Sequence, residues 1–285
     1  MKTRPAPLLL FLILLTLGGP MRCALKRADE EKIPSWKGRF PVLVVAHRGF
    51  SGEAPENTLA AFRKAIEAGS DMIELDIHLS RDGNVVVIHD ETLDRTTNGR
   101  GRVADHTLGE IRRLDAGSWF GPQFSGEKIP TLREVLDLAR GRVLVNIEIK
   151  NPTHGLYAVT ELADRGLEEV KRAGMLDRVI FSSFNPVSLE RIRKKEPRAR
   201  VAFLFHRDWN SPADIPGFGE YEVLNLRNSY LTQEKIARIR GEGKRVNVYT
   251  VNTEEELEQF VRWGADGLIT NHPDRLIRVL KAKFP

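Results

Sequence analysis

The stretch Met72-Ile73-Glu74-Leu75-Asp76-Ile77 runs through His78-Leu79-Ser80-Arg81-Asp82-Gly83-Asn84 into Val85-Val86-Val87-Ile88-His89-Asp90, and its reading decides the fold. Side chains on a strand repeat every second residue, so Glu74 and Asp76 share one face while Ile73, Leu75 and Ile77 share the other. Only seven residues separate Ile77 from Val85. That is too short for a helical crossover, and Asp82-Gly83 suits a tight turn, so the second run is an accessory antiparallel strand. Working outward, seven more β-branched runs begin at Val42, Val143, Val179, Val201, Glu222, Val246 and Gly267. Amphipathic segments separate most of them. Examples are Thr58 to Ala68 before Gly69, Leu132 to Ala139 before Gly141, and Glu254 to Trp263 before Gly264. Thr131 with Glu134 and Thr253 with Glu256 have the spacing of capping boxes at two helix starts.

Setting the hairpin strand aside leaves eight strands in about 245 residues, the size and count of a (β/α)₈ barrel. The expected class is therefore α/β, a distorted (β/α)₈ TIM barrel with an accessory hairpin strand and an insertion over residues 91–128. An open doubly wound sheet is the alternative, but no Gly-rich phosphate loop follows the first strand. The insertion, with Trp119 and Phe120, reads either as a lid over one barrel end or as a packed surface loop.

The chain has 285 residues, 41% hydrophobic and 29% charged, enough for one large domain and unlike a disordered chain. One cysteine excludes a disulfide scaffold or a cysteine zinc site, so any metal must be held by oxygen or histidine. Lys2, Arg4 and Arg22 contribute to the formal +5; without them 41 basic residues face 39 acidic ones, and nucleic acid is not an expected partner. Lys2 and Arg4 precede the apolar run Leu8 to Leu17 and then Gly18-Gly19-Pro20. Ten residues match the core of an export signal and fall short of the roughly 20 that a spanning helix needs. Residues 1–24 are thus expected to be a signal peptide or a short N-terminal anchor, and 40–285 a single domain. The protein is expected to be exported, periplasmic or extracellular, with membrane proximity through that segment if it is not cleaved. Arg22 before Cys23 argues against lipidation of that cysteine.

Chemistry-bearing residues gather at strand ends. His47 follows the first strand, Glu74 and Asp76 lie in the second, His89 follows the hairpin strand, and Glu148 and Lys150 close the run Asn146 to Lys150. In a barrel the C-terminal strand ends converge on one mouth. Glu74 and Asp76 side by side would repel, and a bound cation with Glu148 as third ligand is the simplest remedy; one divalent cation, Mg²⁺ or Ca²⁺, is expected. A surface pair on a half-exposed strand is the bland alternative. Two histidines beside such a site suit a general acid and a general base. Arg48 and Lys150 add positive charge fit for a phosphate, or else pair with the carboxylates for structure alone. His78 shares parity with Glu74 and Asp76 and could line the same mouth, but the hairpin turn is its expected place, and His106, His154, His206 and His272 are expected on the surface. Ser182-Ser183 lacks a G-x-S-x-G elbow, which disfavours a serine hydrolase.

His47-Arg48-Gly49, Pro55-Glu56-Asn57-Thr58, Glu74-Leu75-Asp76, Asp82-Gly83, His89-Asp90 and Glu148-Ile149-Lys150, in this order, resemble the glycerophosphodiester phosphodiesterase family from about Val42 to Leu280. The resemblance implies a phospholipase C-like barrel that hydrolyses glycerophosphodiesters such as glycerophosphocholine or glycerophosphoethanolamine to sn-glycerol 3-phosphate and an alcohol. It implies His47 and His89 as the acid/base pair, Glu74, Asp76 and Glu148 as metal ligands, and Arg48 and Lys150 as phosphate contacts. It further implies attack by the substrate's own glycerol hydroxyl, through a cyclic phosphate. Glu56 and Asn57 are assigned to shaping the loop, with Glu56 a further candidate for the metal or the glycerol. Tyr249, where the family often has tryptophan, and Asn271, where aspartate is common, are expected to shape the pocket wall without touching the chemistry. Two other functions compete: lysophospholipase D-like cleavage, with Trp119, Phe120 and Phe124 as an acyl groove, and a non-catalytic barrel that captures phosphorylated ligands.

Overall fold

Parity along the strands builds both layers of the molecule. The structure, a computed structural model, describes residues 38–151 and 156–285, all within one unit that runs from Trp36 to Pro285. The readings made for residues 1–24 and for His154 lie outside the described residues. In β1 (Leu43–Ala46), Val44 and Ala46 pack into the main core under the helices, while Leu43 and Val45 join an inner cluster. β2 (Met72–Leu79) does the same, with Ile73, Leu75 and Ile77 in the main core and Met72 in the inner cluster.

β4 (Leu144–Ile149), β5 (Val179–Ser183), β6 (Arg200–Phe205), β7 (Val223–Arg227), β8 (Arg245–Tyr249) and β9 (Gly267–Thr270) follow, every neighbouring pair parallel. β9 returns to β1 with Ala46 opposite Thr270, and β1 pairs β2, so eight parallel strands close a barrel. The inner cluster of Leu43, Val45, Met72, Leu144, Ile180, Ala202 and Ile269 lies inside the barrel.

β3 (Val85–Val87) is antiparallel to β2, as the seven-residue spacing requires. β4 occupies one edge of β2 from Met72 to Ile77. The other edge is therefore shared: β1 pairs Met72 and Ile73, and β3 pairs Ile77 to Leu79.

The helices are α1 (Leu59–Ala68), the short α2 (Leu108–Ile111), α3 (Leu132–Ala139), α4 (Leu156–Arg172), α5 (Pro186–Lys195), α6 (Gln233–Gly241), α7 (Glu254–Arg262) and α8 (Pro273–Lys283). Between β6 and β7 two 3₁₀ turns replace the helix, and Trp209, Ile215 and Tyr221 bury the strands there instead. The capping box at Thr131 and Glu134 is complete. The one expected at Thr253 is only half made: the hydroxyl caps the Glu256 amide, but the Glu256 carboxylate accepts from Asn228 Nδ2 and from the Thr253 hydroxyl. A complete box at Thr107 and Glu110 starts α2. Among the described residues no helix is long and apolar enough to cross a membrane.

Residues 91–128 form a packed segment with its own apolar centre. Val86 and Ile88 from the β3 hairpin meet Leu93, Val103, Ile111, Ala116 and Ile129. Leu93 is fully buried there, so Leu93→Ala is expected to destabilise by about 2–5 kcal/mol. Hydrogen exchange should then show the amides of residues 91–128 losing protection ahead of those in the barrel strands; uniform loss would mean that this core is not a separate unit.

Candidate active site

The parallel register of β2 and β4 sets Glu74 opposite Asn146 and Asp76 opposite Glu148. Oxygens of Glu74, Asp76 and Glu148 lie within 4.8 Å of one another, all three residues being largely shielded from solvent. Lys150, two residues past Glu148, places Nζ 2.7 Å from Glu148 Oε1 and 3.3 Å from Asp76 Oδ1. The second cation comes from the turn after β1. Arg48 (φ 55°) and Gly49 (φ 81°) are both left-handed. A Cβ on Gly49 would stand 2.7 Å from the Ala61 carbonyl carbon, so only glycine lets this turn lie against α1. The turn aims the Arg48 amide at Glu74 Oε2 (2.8 Å), while Nη1 donates to Glu56 (2.8 Å) and Nε approaches Asp76 Oδ2 at 3.4 Å. Asn57, also left-handed, donates to Asp76 Oδ2 at 2.9 Å and accepts the Asp76 amide.

The charges do not balance. Burial, then the neighbouring Asp76 and Glu148, push the Glu74 carboxyl well above its ordinary value. Burial and Asp76 push Glu148 up to about 7. Burial also works against the Asp76 charge, but Lys150, Arg48 and His89 outweigh it and hold that carboxyl below the usual range. Crowded carboxylates of this kind suit a divalent cation. Asn146 Oδ1, in register with Glu74, is buried with no hydrogen-bond partner among the described residues and leaves another oxygen beside them.

His47 follows β1, and its Nε2 lies 4.0 Å from Glu74 Oε2. Its Nδ1 pairs with Asn271 Oδ1 at 2.7 Å. This corrects the expectation that Asn271 stands clear of the chemistry. Ala46 and Thr270 are partners in the closing strand pair, so the residues that follow them, His47 and Asn271, emerge side by side. Burial and the Arg48 charge lower the His47 pKa to about 4. His89 Nδ1 instead meets a carboxylate, Asp90 Oδ1, at 2.6 Å. Burial lowers His89 as well, with Asp76 and Asp90 opposing and Arg48 and Lys150 adding to the shift.

A cavity of about 160 Å³ opens among His47, Arg48, Glu74, His89, Glu148 and Lys150. Its apolar wall is Phe184, Leu204, Tyr249 and Ile269. Tyr249 lines the cavity with its hydroxyl tied to the Phe205 carbonyl at 3.1 Å. Trp119, Phe120 and Phe124 stack edge to face on one another and do not line this cavity. His78 is not in the hairpin turn. It is a buried residue of β2, on the same face as Glu74 and Asp76, and its Nε2 meets the His89 carbonyl at 3.1 Å. Glu56 pairs with Arg48 and Arg95, which supports the loop-shaping role.

The glycerophosphoryl diester phosphodiesterase family pattern matches residues 47–275. The chain belongs to this family. A glycerophosphodiester phosphodiesterase of Caldanaerobacter subterraneus subsp. tengcongensis is 41% identical over 240 residues, covering 84% of this chain and 98% of that one. A glycerophosphodiester phosphodiesterase of Bacillus subtilis is 37% identical over 262 residues, covering 84% and 87%. Among solved structures, an Oleispira antarctica phosphodiesterase in complex with the product sn-glycerol 3-phosphate superposes with a TM-score of 0.79 at 29% identity, covering 85% of this chain and 97% of that one. As a member of the glycerophosphodiester phosphodiesterase family the chain is an enzyme, a phosphodiester hydrolase.

In this family member, sequence reasoning missed Asn271 and Arg95 as partners of site residues. The register of the closing strands would have shown the first; nothing local marks the second.

Glu148 yields a pH test. Its folded pKa of about 7 exceeds the ordinary 4.5, so folding takes up a proton between these values and its contribution to stability is lost as pH rises through them. The lowered histidines slope the other way, so the difference between variant and wild type is the readout. In chelator, the stability of Glu148→Gln relative to wild type is expected to grow from pH 4.5 to 7 and then level off, by on the order of 1–3 kcal/mol. Urea melts across that range check it, and a flat difference contradicts the shift.

Proposed function

We propose that the protein hydrolyses glycerophosphodiesters, such as glycerophosphocholine and glycerophosphoethanolamine, to sn-glycerol 3-phosphate and an alcohol, with one divalent cation, Mg²⁺ or Ca²⁺. The observation that carries this reading is the meeting of two histidines, three carboxylates and two cationic side chains around one cavity in a member of this family. Glu74, Asp76 and Glu148 would hold the cation, which when bound supplies positive charge to a phosphoryl oxygen. Arg48 and Lys150 steady the remaining phosphate charge, from positions already set by Asp76, Glu56 and Glu148.

The partners of the two imidazoles separate their roles. His47 is bound to a neutral amide and lowered to about 4, so it is neutral near pH 7 and suits the base. His89 is bound to a carboxylate, which opposes the downward pull of burial and steadies the imidazolium once it forms, and so suits the acid. His47 removes the proton of the glycerol hydroxyl next to the phosphate, and that oxygen forms its bond to phosphorus. The bond from phosphorus to the alcohol oxygen breaks, and His89 protonates the oxygen that leaves. Water then opens the cyclic phosphate, giving its proton to His89, while His47 returns its proton to the glycerol oxygen. In this reading the apolar wall of Phe184, Leu204 and Tyr249 receives the departing alcohol. The same proposal includes export, on the strength of the segment Lys2 to Pro20 alone.

Incubation with glycerophosphocholine should release sn-glycerol 3-phosphate with Mg²⁺ or Ca²⁺ and not in chelator. His47→Ala and His89→Ala are each expected to lower turnover about 10²–10⁴-fold. An analogue without the adjacent hydroxyl should be a poor substrate. Release unaffected by either substitution sinks the assignment of the histidines. No release with either ion favours lysophospholipid cleavage or ligand capture, and assays with lysophosphatidylcholine separate those two.

A further inference from the structure

Arg95 lies in the segment after β3, outside the cavity, and makes two forked contacts at once. Nε and Nη2 donate to Asp90 at 2.6 and 3.0 Å. Nη1 and Nη2 donate to Glu56 at 2.9 and 2.7 Å. Each carboxylate is also committed to a site residue. Asp90 Oδ1 meets His89 Nδ1 at 2.6 Å, and Glu56 Oε1 accepts from Arg48 at 2.8 Å. One planar guanidinium thus ties the loop after β1 to the loop after β3.

An exposed ion pair by itself contributes little. This arrangement differs because the fork fixes direction as well as charge: two parallel N–H donors set the plane of Asp90, and Asp90 in turn sets the imidazole. A lysine has a point charge and cannot span both carboxylates in the same way. We propose that Arg95 is a positioning residue that holds the His89–Asp90 pair in the orientation from which His89 protonates the departing alcohol, with Glu56 as its anchor across the mouth. The proposal rests on the reading of His89 as the general acid. It also gives the 91–128 segment a task other than covering the cavity.

Leaving-group dependence tests it on the full chain. Choline leaves as an alkoxide unless it is protonated, whereas para-nitrophenolate leaves without help. kcat/KM, which reports the steps up to bond cleavage, is compared for glycerophosphocholine and for the para-nitrophenyl ester of glycerol phosphate. Arg95→Lys is expected to lower the first about 10- to 100-fold and the second by no more than about threefold. Asp90→Asn should show the same selectivity, and the double variant should be no worse than either single one. Equal losses on both substrates, no loss on either, or additive losses in the double variant overturn the proposal. Should Arg95→Lys fold poorly, Arg95→Gly with added methylguanidine replaces it: recovery confined to the choline substrate supports the assignment, and equal or absent recovery overturns it. A wild type that cleaves neither substrate refutes the hydrolase reading itself, whereas wild-type turnover with an unchanged substrate ratio in the variants refutes only the role of Arg95.

Discussion

The parallel pairing of β2 with β4 is the constraint on which the site depends. It stacks Met72 with Leu144 inside the barrel, then Glu74 with Asn146, then Asp76 with Glu148, so that one face of two strands passes from apolar to acidic. A slip of one residue would turn the acids into the helical layer and the isoleucines into the cavity. Apolar side chains on the opposite face, Ile73, Leu75, Ile77, Val145, Ile147 and Ile149, hold the register by packing under the helices. The hydrophobic core and the acidic cluster are two faces of the same decision.

That cluster is an arrangement with a cost to the fold. Three shielded carboxylates face two cations: Asp76 lies within reach of both Arg48 and Lys150, while Glu148 meets Lys150 alone. Glu74 and Glu148 are left to hold protons or share a bound cation. Sites that break the usual rule against buried like charges are where folds give up stability for chemistry. Here the barrel strands supply the rigidity that keeps the groups from moving apart.

The barrel was legible because its signals are local. Spacing between Ile77 and Val85 determined the hairpin, and side-chain parity placed Glu74 with Asp76. Convergence of strand ends brought His47, His89, Glu148 and Lys150 to one cavity, as the structure has them. What escaped depended on pairings far apart in the chain. Asn271 meets His47 through the closing strands, and Arg95 reaches Glu56 across 39 positions. His78 was misplaced because β2 runs two residues past Ile77 before it turns. At Thr253 the box spacing was present, but Asn228 from another loop draws the Glu256 carboxylate.

The distance along the chain between His47 and Asn271, 224 positions, has a kinetic side. Their contact forms only when the first and last strands meet, and loop-closure entropy makes such long-range pairings the slowest to gain. The acidic cluster draws on β2 and β4, whose facing residues Asp76 and Glu148 are separated by less than half that distance along the chain. Assembly in order of contact range therefore completes the acidic half of the cavity before the His47 half. On the proposed role of His47 as base, an imidazole whose orientation depends on the last seam of the barrel ties catalytic competence to complete closure.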